Sequence, residues 1–345
     1  ARSQRDCMET RKVQLSGGTT YTVSLPKSWA NEHGIDAGST LSLYPNGDGT
    51  LLVEVDADRS SDTRTATVDI STASADAVRQ RIHALHAVGL DAVTLLDRAG
   101  HATETRALIE DTVSNLSGFE LLEAGDTRIR LTNLIDADNV DIRKSTLRLR
   151  LVMLGMHRDA VTAVLDGDET LARRVVDRDS EADKLFAMVT RHFRRALTDL
   201  QEVEKLGYSR DELFEYYYVS RQFERIADHA EKIARFAIDP EATVPAAFED
   251  RIDAVASDAR QVVDTAADVV LADADIEAAH TALATRTELA ADLRALDRDL
   301  YTHDDPAEAY VVGLLLDSIR RTAEYGGNVA DIAIQQVTRA CTCAE

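Results

Sequence analysis

From about residue 138 to residue 340 the chain shows no strand signal, and apolar residues recur at steps of three and four throughout. That periodicity predicts six helices: Asp141 to Leu165, Glu169 to Leu200, Arg210 to Ile238, Phe248 to Leu271, Asp275 to Tyr301 and Glu308 to Val337. Pro240 and Pro245 punctuate the middle, and Asp304-Asp305-Pro306 parts the last two helices. The lengths repeat as three plus three. A duplicated three-helix unit is expected, with repeats at 138–240 and 244–340.

The stretch Arg221 to Ile233 has two faces. Phe223, Ile226, Ala230 and Ile233 make an apolar stripe, and Arg221, Glu224, Asp228 and Glu231 run along its edge. Glu224 and Asp228 stack two carboxylates one turn apart. Like charges at that spacing repel unless something positive sits between them, and a hard cation with oxygen ligands meets the need. Three segments echo the spacing: Asp179 with Asp183, Glu288 with Asp292, and Glu324 with Asn328, where an amide replaces the last acid. They fall on the second and third helix of each half. Acids four apart also arise by chance in a chain of net charge −22, so four in register weigh more than one. Gly326-Gly327 is expected to weaken the last helix by roughly 1 kcal/mol per Gly relative to Ala.

Two other segments precede the helices. Residues 8–55, with Met8 a natural-looking start, read as strand, strand, short helix, strand, strand. Ser16-Gly17-Gly18 turns the first hairpin, Pro26 opens a helix ended by His33-Gly34, and Asn46-Gly47-Asp48-Gly49 turns the second hairpin. Residues 56–63 are polar and aperiodic, a linker. Residues 64–136 alternate as β-α-β-α-β-β, a small two-layer α+β domain. Ser74 caps its first helix, and Gly89 and Gly118 stop its two helices. His83 and His86, three apart on the first helix, are expected to be an exposed pair.

With 345 residues, 44% of them hydrophobic, the chain can build two or three cores. It holds no run of about 18 apolar residues and no signal-peptide core, which predicts a cytoplasmic protein without a membrane span. Cys7, Cys341 and Cys343 sit at the ends, which suits a reducing compartment, and the Cys341-Thr342-Cys343 spacing is a poor metal motif. The acid-rich, Lys-poor composition suits high salt. The global charge opposes nucleic acid. Residues 1–30 are the exception, with five basic residues against two acids, +3 net, while the remainder carries −25.

The head resembles the AbrB/SpoVT (MazE-like) DNA-binding domains. Arg11-Lys12-Val13 leads the first strand, Leu25-Pro26-Lys27 steps into the helix, and Gly34-Ile35-Asp36-Ala37-Gly38-Ser39-Thr40-Leu41 enters the third strand. The resemblance implies an intertwined dimeric β-barrel of swapped hairpins, with Arg11, Lys12 and Lys27 on DNA. The helical part, 138–340, resembles the PhoU family, whose Glu/Asp-x-x-x-Asp motif matches Glu224 to Asp228 within "FERIADHAEKIA". An AbrB-like head on a PhoU-like body resembles archaeal regulators of phosphate uptake. The family likeness implies iron, zinc or magnesium on Glu224, Asp228, Asp179 and Asp183, and a second site at Glu288, Asp292, Glu324 and Asn328.

The expected function is therefore a homodimeric, DNA-binding regulator of phosphate uptake. The alternative is a scaffold that restrains a phosphate transporter or a sensor kinase without touching DNA. An enzyme is not expected. A di-metal bundle needs Glu-x-x-His on two helices, and only Glu277-Ala278-Ala279-His280 fits.

Overall fold

The computed structural model describes residues 9–45, 49–55, 63–239 and 242–342. Met8, Cys7, Cys343, Pro240, most of the 56–63 segment and the Asn46-Gly47-Asp48 part of the second turn lie outside them. The chain divides into two compact units, residues 1–62 and 63–345.

The first unit is two hairpins around a short helix. Strands β1 (Gln14–Ser16) and β2 (Thr20–Thr22) pair antiparallel, with Gly17 and Gly18 at φ 64 and 82 in the turn. Helix α1 (Lys27–Glu32) follows, then the antiparallel pair β3 (Leu41–Pro45) and β4 (Leu51–Val55). The hairpins stay separate two-stranded sheets. Helix α1 buries nothing, and Val13, Leu15, Tyr21, Val23, Leu43 and Leu51 are exposed. So small a unit cannot cover its own apolar surface.

The second unit begins with a four-stranded sheet in the order β5-β6-β8-β7, from β5 (Thr65–Asp69), β6 (Ala92–Leu96), β7 (Phe119–Ala124) and β8 (Arg128–Asn133). Strand β5 runs parallel to β6, and the other pairs are antiparallel. Helices α2 (Ala75–Ala87) and α3 (Thr103–Ser114) pack on this sheet over Ile82, Leu95, Ile109, Phe119, Ile129 and Leu131. The Ser74 side chain caps α2 as its sequence predicts. His86 is a correction. It is buried in this core, its Nε2 lies 2.9 Å from the Ser117 carbonyl, and its ring meets Phe119 edge-on. Three-residue spacing on a helix could not tell the rim from the core.

Seven helices complete the unit: α4 (Ile142–Asp166), α5 (Glu169–Ala196), α6 (Leu200–Leu206), α7 (Arg210–Ile238), α8 (Ala246–Ala272), α9 (Ile276–Leu300) and α10 (Pro306–Thr342). Helices α4, α5 and α7 pack together, as do α8, α9 and α10, and α7 with α10 and α4 with α8 join the two sets. One apolar core runs through both. Helix α6 was not expected. Continuous periodicity suggests one helix to Leu200, but Asp199 caps a new one, and Glu202 turns back into the interior to meet His192 at 2.5 Å and Arg195 at 3.0 Å. Burying that ionic triad outweighs continuing α5.

Gly326-Gly327 does not break α10. A Cβ at Gly326 would come within 2.9 Å of Val262 and Val263 on α8, so the missing side chain sets a close helix approach.

Candidate functional site

The densest carboxylate group lies between α5 and α7. The α7 stripe Phe223, Ile226, Ala230 and Ile233 is wholly buried, so Glu224 and Asp228 are held half-buried at its edge. On α5, the buried Ala182 orients its neighbours so that Asp179 and Asp183 come alongside. The acids from the two helices feel one another. Burial, then Asp183, Glu231 and Asp228, push Asp179 up to about 7. Burial, then Asp228, with Arg221 opposing, push Glu224 up to about 7. Asp228 is raised in the same way, chiefly by burial. Asp183 is raised to about 6 by desolvation and by Asp228 and Glu231, although its side chain sits at the exposed rim, where water moderates the repulsion.

Two arginines partly offset the charge. Arg221 holds both Glu224 oxygens at 2.8 Å, and Arg235 holds Glu231 at 2.5 Å. One Asp179 carboxylate oxygen is buried without a hydrogen-bond partner among the described residues. Such an atom is costly to keep, which makes this donor set suited to a hard cation. As the side chains stand, no three His, Cys, Asp or Glu residues among the described ones are gathered tightly enough to hold an ion. Binding one calls for the carboxylates to turn inward.

The expected second set is not brought together. Glu288 and Asp292 are exposed on α9. Glu324 pairs with Arg321 at 2.9 Å, and the Asn328 amide donates to the Gln222 side chain of α7 at 3.0 Å. Glu277 and His280 are likewise exposed.

Sequence reasoning missed the junction of the α+β layer with α5. Arg191, fully buried, donates to the carbonyls of His86 at 3.1 Å and Leu90 at 2.8 Å, and reaches Asp91 at 3.2 Å. Arg195 donates to the Gly89 carbonyl at 3.1 Å and also binds Asp91 and Glu202. These carbonyls lie at the end of α2, where the helix dipole favours cations. Gly89, at φ 84, is required twice: for its conformation, and because a Cβ there would come within 3.0 Å of the Arg195 stem. Burial pulls Arg191 down only to about 10, so it stays charged at neutral pH. Arginines five residues and one residue before the end of one polar helix give no one-dimensional signal of a partner a hundred residues upstream.

In the head, Arg11, Lys12 and Lys27 are all exposed. Arg11 is tied to Glu9. For Lys12 and Lys27 no ion-pair partner stands among the described residues.

Residues 146–237 match the family model of the PhoU domain. The helical body carries a PhoU domain. Residues 14–59 match the model described as "Antidote-toxin recognition MazE, bacterial antitoxin", so the head is MazE-like. Among solved structures, PhoU from Pseudomonas aeruginosa is similar at 23% identity and a TM-score of 0.50, covering 59% of this chain and 98% of its own. The phosphate transport system regulatory protein PhoU from Streptococcus pneumoniae aligns at 14% identity and a TM-score of 0.45, over 56% of this chain and 91% of its own. No curated protein matches. The Pseudomonas likeness shows the PhoU fold for the body. The model match itself lies within the first three-helix set, the one that contains the acidic groove. No described helix is long and apolar enough to cross a membrane.

Proposed function

We propose that this chain is a DNA-binding regulator of phosphate uptake. Its MazE-like head engages DNA as a homodimer, and its PhoU body responds to a bound cation or a protein partner. The observation that carries the reading is the pairing, on one chain, of a PhoU domain with a small β head whose apolar surface is exposed and whose basic residues stand on the outside. The remainder of the chain is strongly acidic, so DNA contact falls to Arg11, Lys12 and Lys27. Glu9 must release Arg11 for it to take part.

In the PhoU body, Asp179, Asp183, Glu224 and Asp228 would hold a divalent or transition cation. The ion supplies the positive charge that relieves repulsion among them. Asp179 contributes the orphaned oxygen, and Arg221 keeps Glu224 aimed along the groove. Catalysis is no part of the proposal.

A titration of the whole protein against its own promoter, a phosphate-transporter promoter and random DNA, across a salt series, tests the reading. Preference for either promoter with a steep salt slope is expected. Replacing Lys12 or Lys27 by Ala should lower the slope by about 1 each. Equal binding to random DNA at every salt concentration favours the second reading, a scaffold that restrains a transporter or sensor. The Arg11–Glu9 tie and the net charge of −22 speak for that alternative.

A further inference from the structure

The two three-helix sets can be matched through their buried residues. A shift of 100 residues carries α7 onto α10: Val219 onto Ile319, Phe223 onto Ala323, Ala230 onto Ala330, Ile233 onto Ala333, all buried. The same shift carries the Arg221–Glu224 pair onto the Arg321–Glu324 pair and Asp228 onto Asn328. A shift of 107 carries α5 onto α9. It places buried Ala172, Val175, Ala182 and Val189 on buried Ala279, Ala282, Leu289 and Leu296. Spacing alone pairs Asp179 with Glu288; burial pairs Asp179 with Arg286 and Asp183 with Ala290.

The local geometry agrees with that register. Arg286 lies across α10 at Gly327, the counterpart of Ala227 and the neighbour of Asn328. A Cβ built on Gly327 would come within 2.8 Å of Arg286 Cδ and 3.1 Å of its Cζ, and closer still to Nη1. The three nearest atoms all belong to this one arginine. In the first groove five carboxylates (Asp179, Asp183, Glu224, Asp228 and Glu231) are opposed by Arg221, Arg225, Lys232 and Arg235. In the second, Glu324 is paired with Arg321, Asn328 stands where the first repeat has Asp228, and Arg286 lies against Gly327.

We infer that the second repeat has exchanged its cation for a fixed guanidinium. Arg286 occupies the place where the first repeat presents Asp179, Gly327 makes room for it, and among the described residues cation binding falls to the groove between α5 and α7. The statement about that groove rests on the proposed function; the placement of Arg286 does not. A guanidinium on a stem cannot leave, so the second set keeps this positive charge at all cation concentrations.

Two measurements on the full chain test this. The first is a double-mutant cycle in chelator, read by thermal melting. With Arg286 replaced by Ala, Gly327→Ala should raise the melting temperature by about 2–4 °C through helix propensity, because the three atoms nearest the new methyl are then gone. With Arg286 present the gain should vanish or reverse. Equal effects in both backgrounds overturn the placement. The second is equilibrium binding of Mn²⁺ and of Zn²⁺, counted by elemental analysis after gel filtration. Asp179→Asn with Glu224→Gln should abolish binding, and Glu288→Gln with Glu324→Gln should leave it unchanged. Binding that survives the first pair and is lost in the second overturns the inference. No metal on the parent chain, with the cycle as expected, removes the cation reading of the groove and leaves Arg286 where it is.

Discussion

At the scale of single residues, the groove between α5 and α7 has a sign that pH can read. A carboxyl whose pKa is raised on folding withdraws stability as pH climbs from its unfolded value, 3.8 for Asp179, to its folded value, about 7. The penalty is absent below that window and complete above it. Asp179→Asn should therefore stabilise the metal-free protein at pH 8 and leave it unchanged near pH 4. Because the site is partly wet, the gain at pH 8 is about 1–2 kcal/mol, measured by melting in chelator. A larger gain at low pH than at high pH would contradict the repulsion. Glu224 and Asp228 were legible because their helix has one unambiguous apolar stripe. Arg286 was not, since α9 is rich in alanine and several rotations of that helix bury similar area. Only the observed burial of Leu289, Leu293 and Leu296 fixes which way its charged residues face.

At the scale of elements, the helices were legible and their interruptions were not. The structure ends α5 at Ala196 and starts α6 at Leu200 because Glu202 is bonded to His192 and Arg195, a tertiary gain that no local propensity encodes. The arginine junction is similar. Arg191→Met should cost about 3 kcal/mol in denaturant unfolding, because Asp91 and the carbonyls of His86 and Leu90 lose a buried donor. It should also speed amide exchange in the last turn of α2. A loss below about 1 kcal/mol would mean that Arg195 alone holds the junction. On α10, Gly326→Ala is expected to destabilise by about 1–3 kcal/mol despite its better helix propensity, since the added methyl meets the Val263 backbone as well as two valine side chains. Reading this glycine pair as a weak spot missed the packing that requires it.

At the scale of the whole molecule, composition announced a charged surface and the order of patterns announced a β head, an α+β layer and a helical body. What composition could not announce is what the head lacks. Leu15, Tyr21, Leu43 and Leu51 are all more than half exposed among the described residues. The intact chain should therefore scatter light as a multiple of 37.8 kDa, and Leu15→Glu with Tyr21→Glu should lower that mass while the far-ultraviolet signal of the helical body persists. An unchanged mass would place the association elsewhere. DNA binding should fall with it if the head acts as a pair.

The junction between the α+β layer and α5 carries one further consequence, in evolutionary terms. Arg191 and Arg195 grip the carbonyls of residues 86, 89 and 90, groups that every amino-acid sequence supplies. Side chains add to that grip: Asp91 and the small Gly89, the Phe119 ring 5.6 Å from the Arg191 guanidinium, Arg64 on Asp199 at 3.2 Å, and the Ser117 hydroxyl donating to the Lys184 carbonyl at 3.1 Å. Side chains of the layer outside that set and outside its own core are thus free to drift with the mount on the helical body unchanged, so the face turned away from α5 can diverge while the attachment persists.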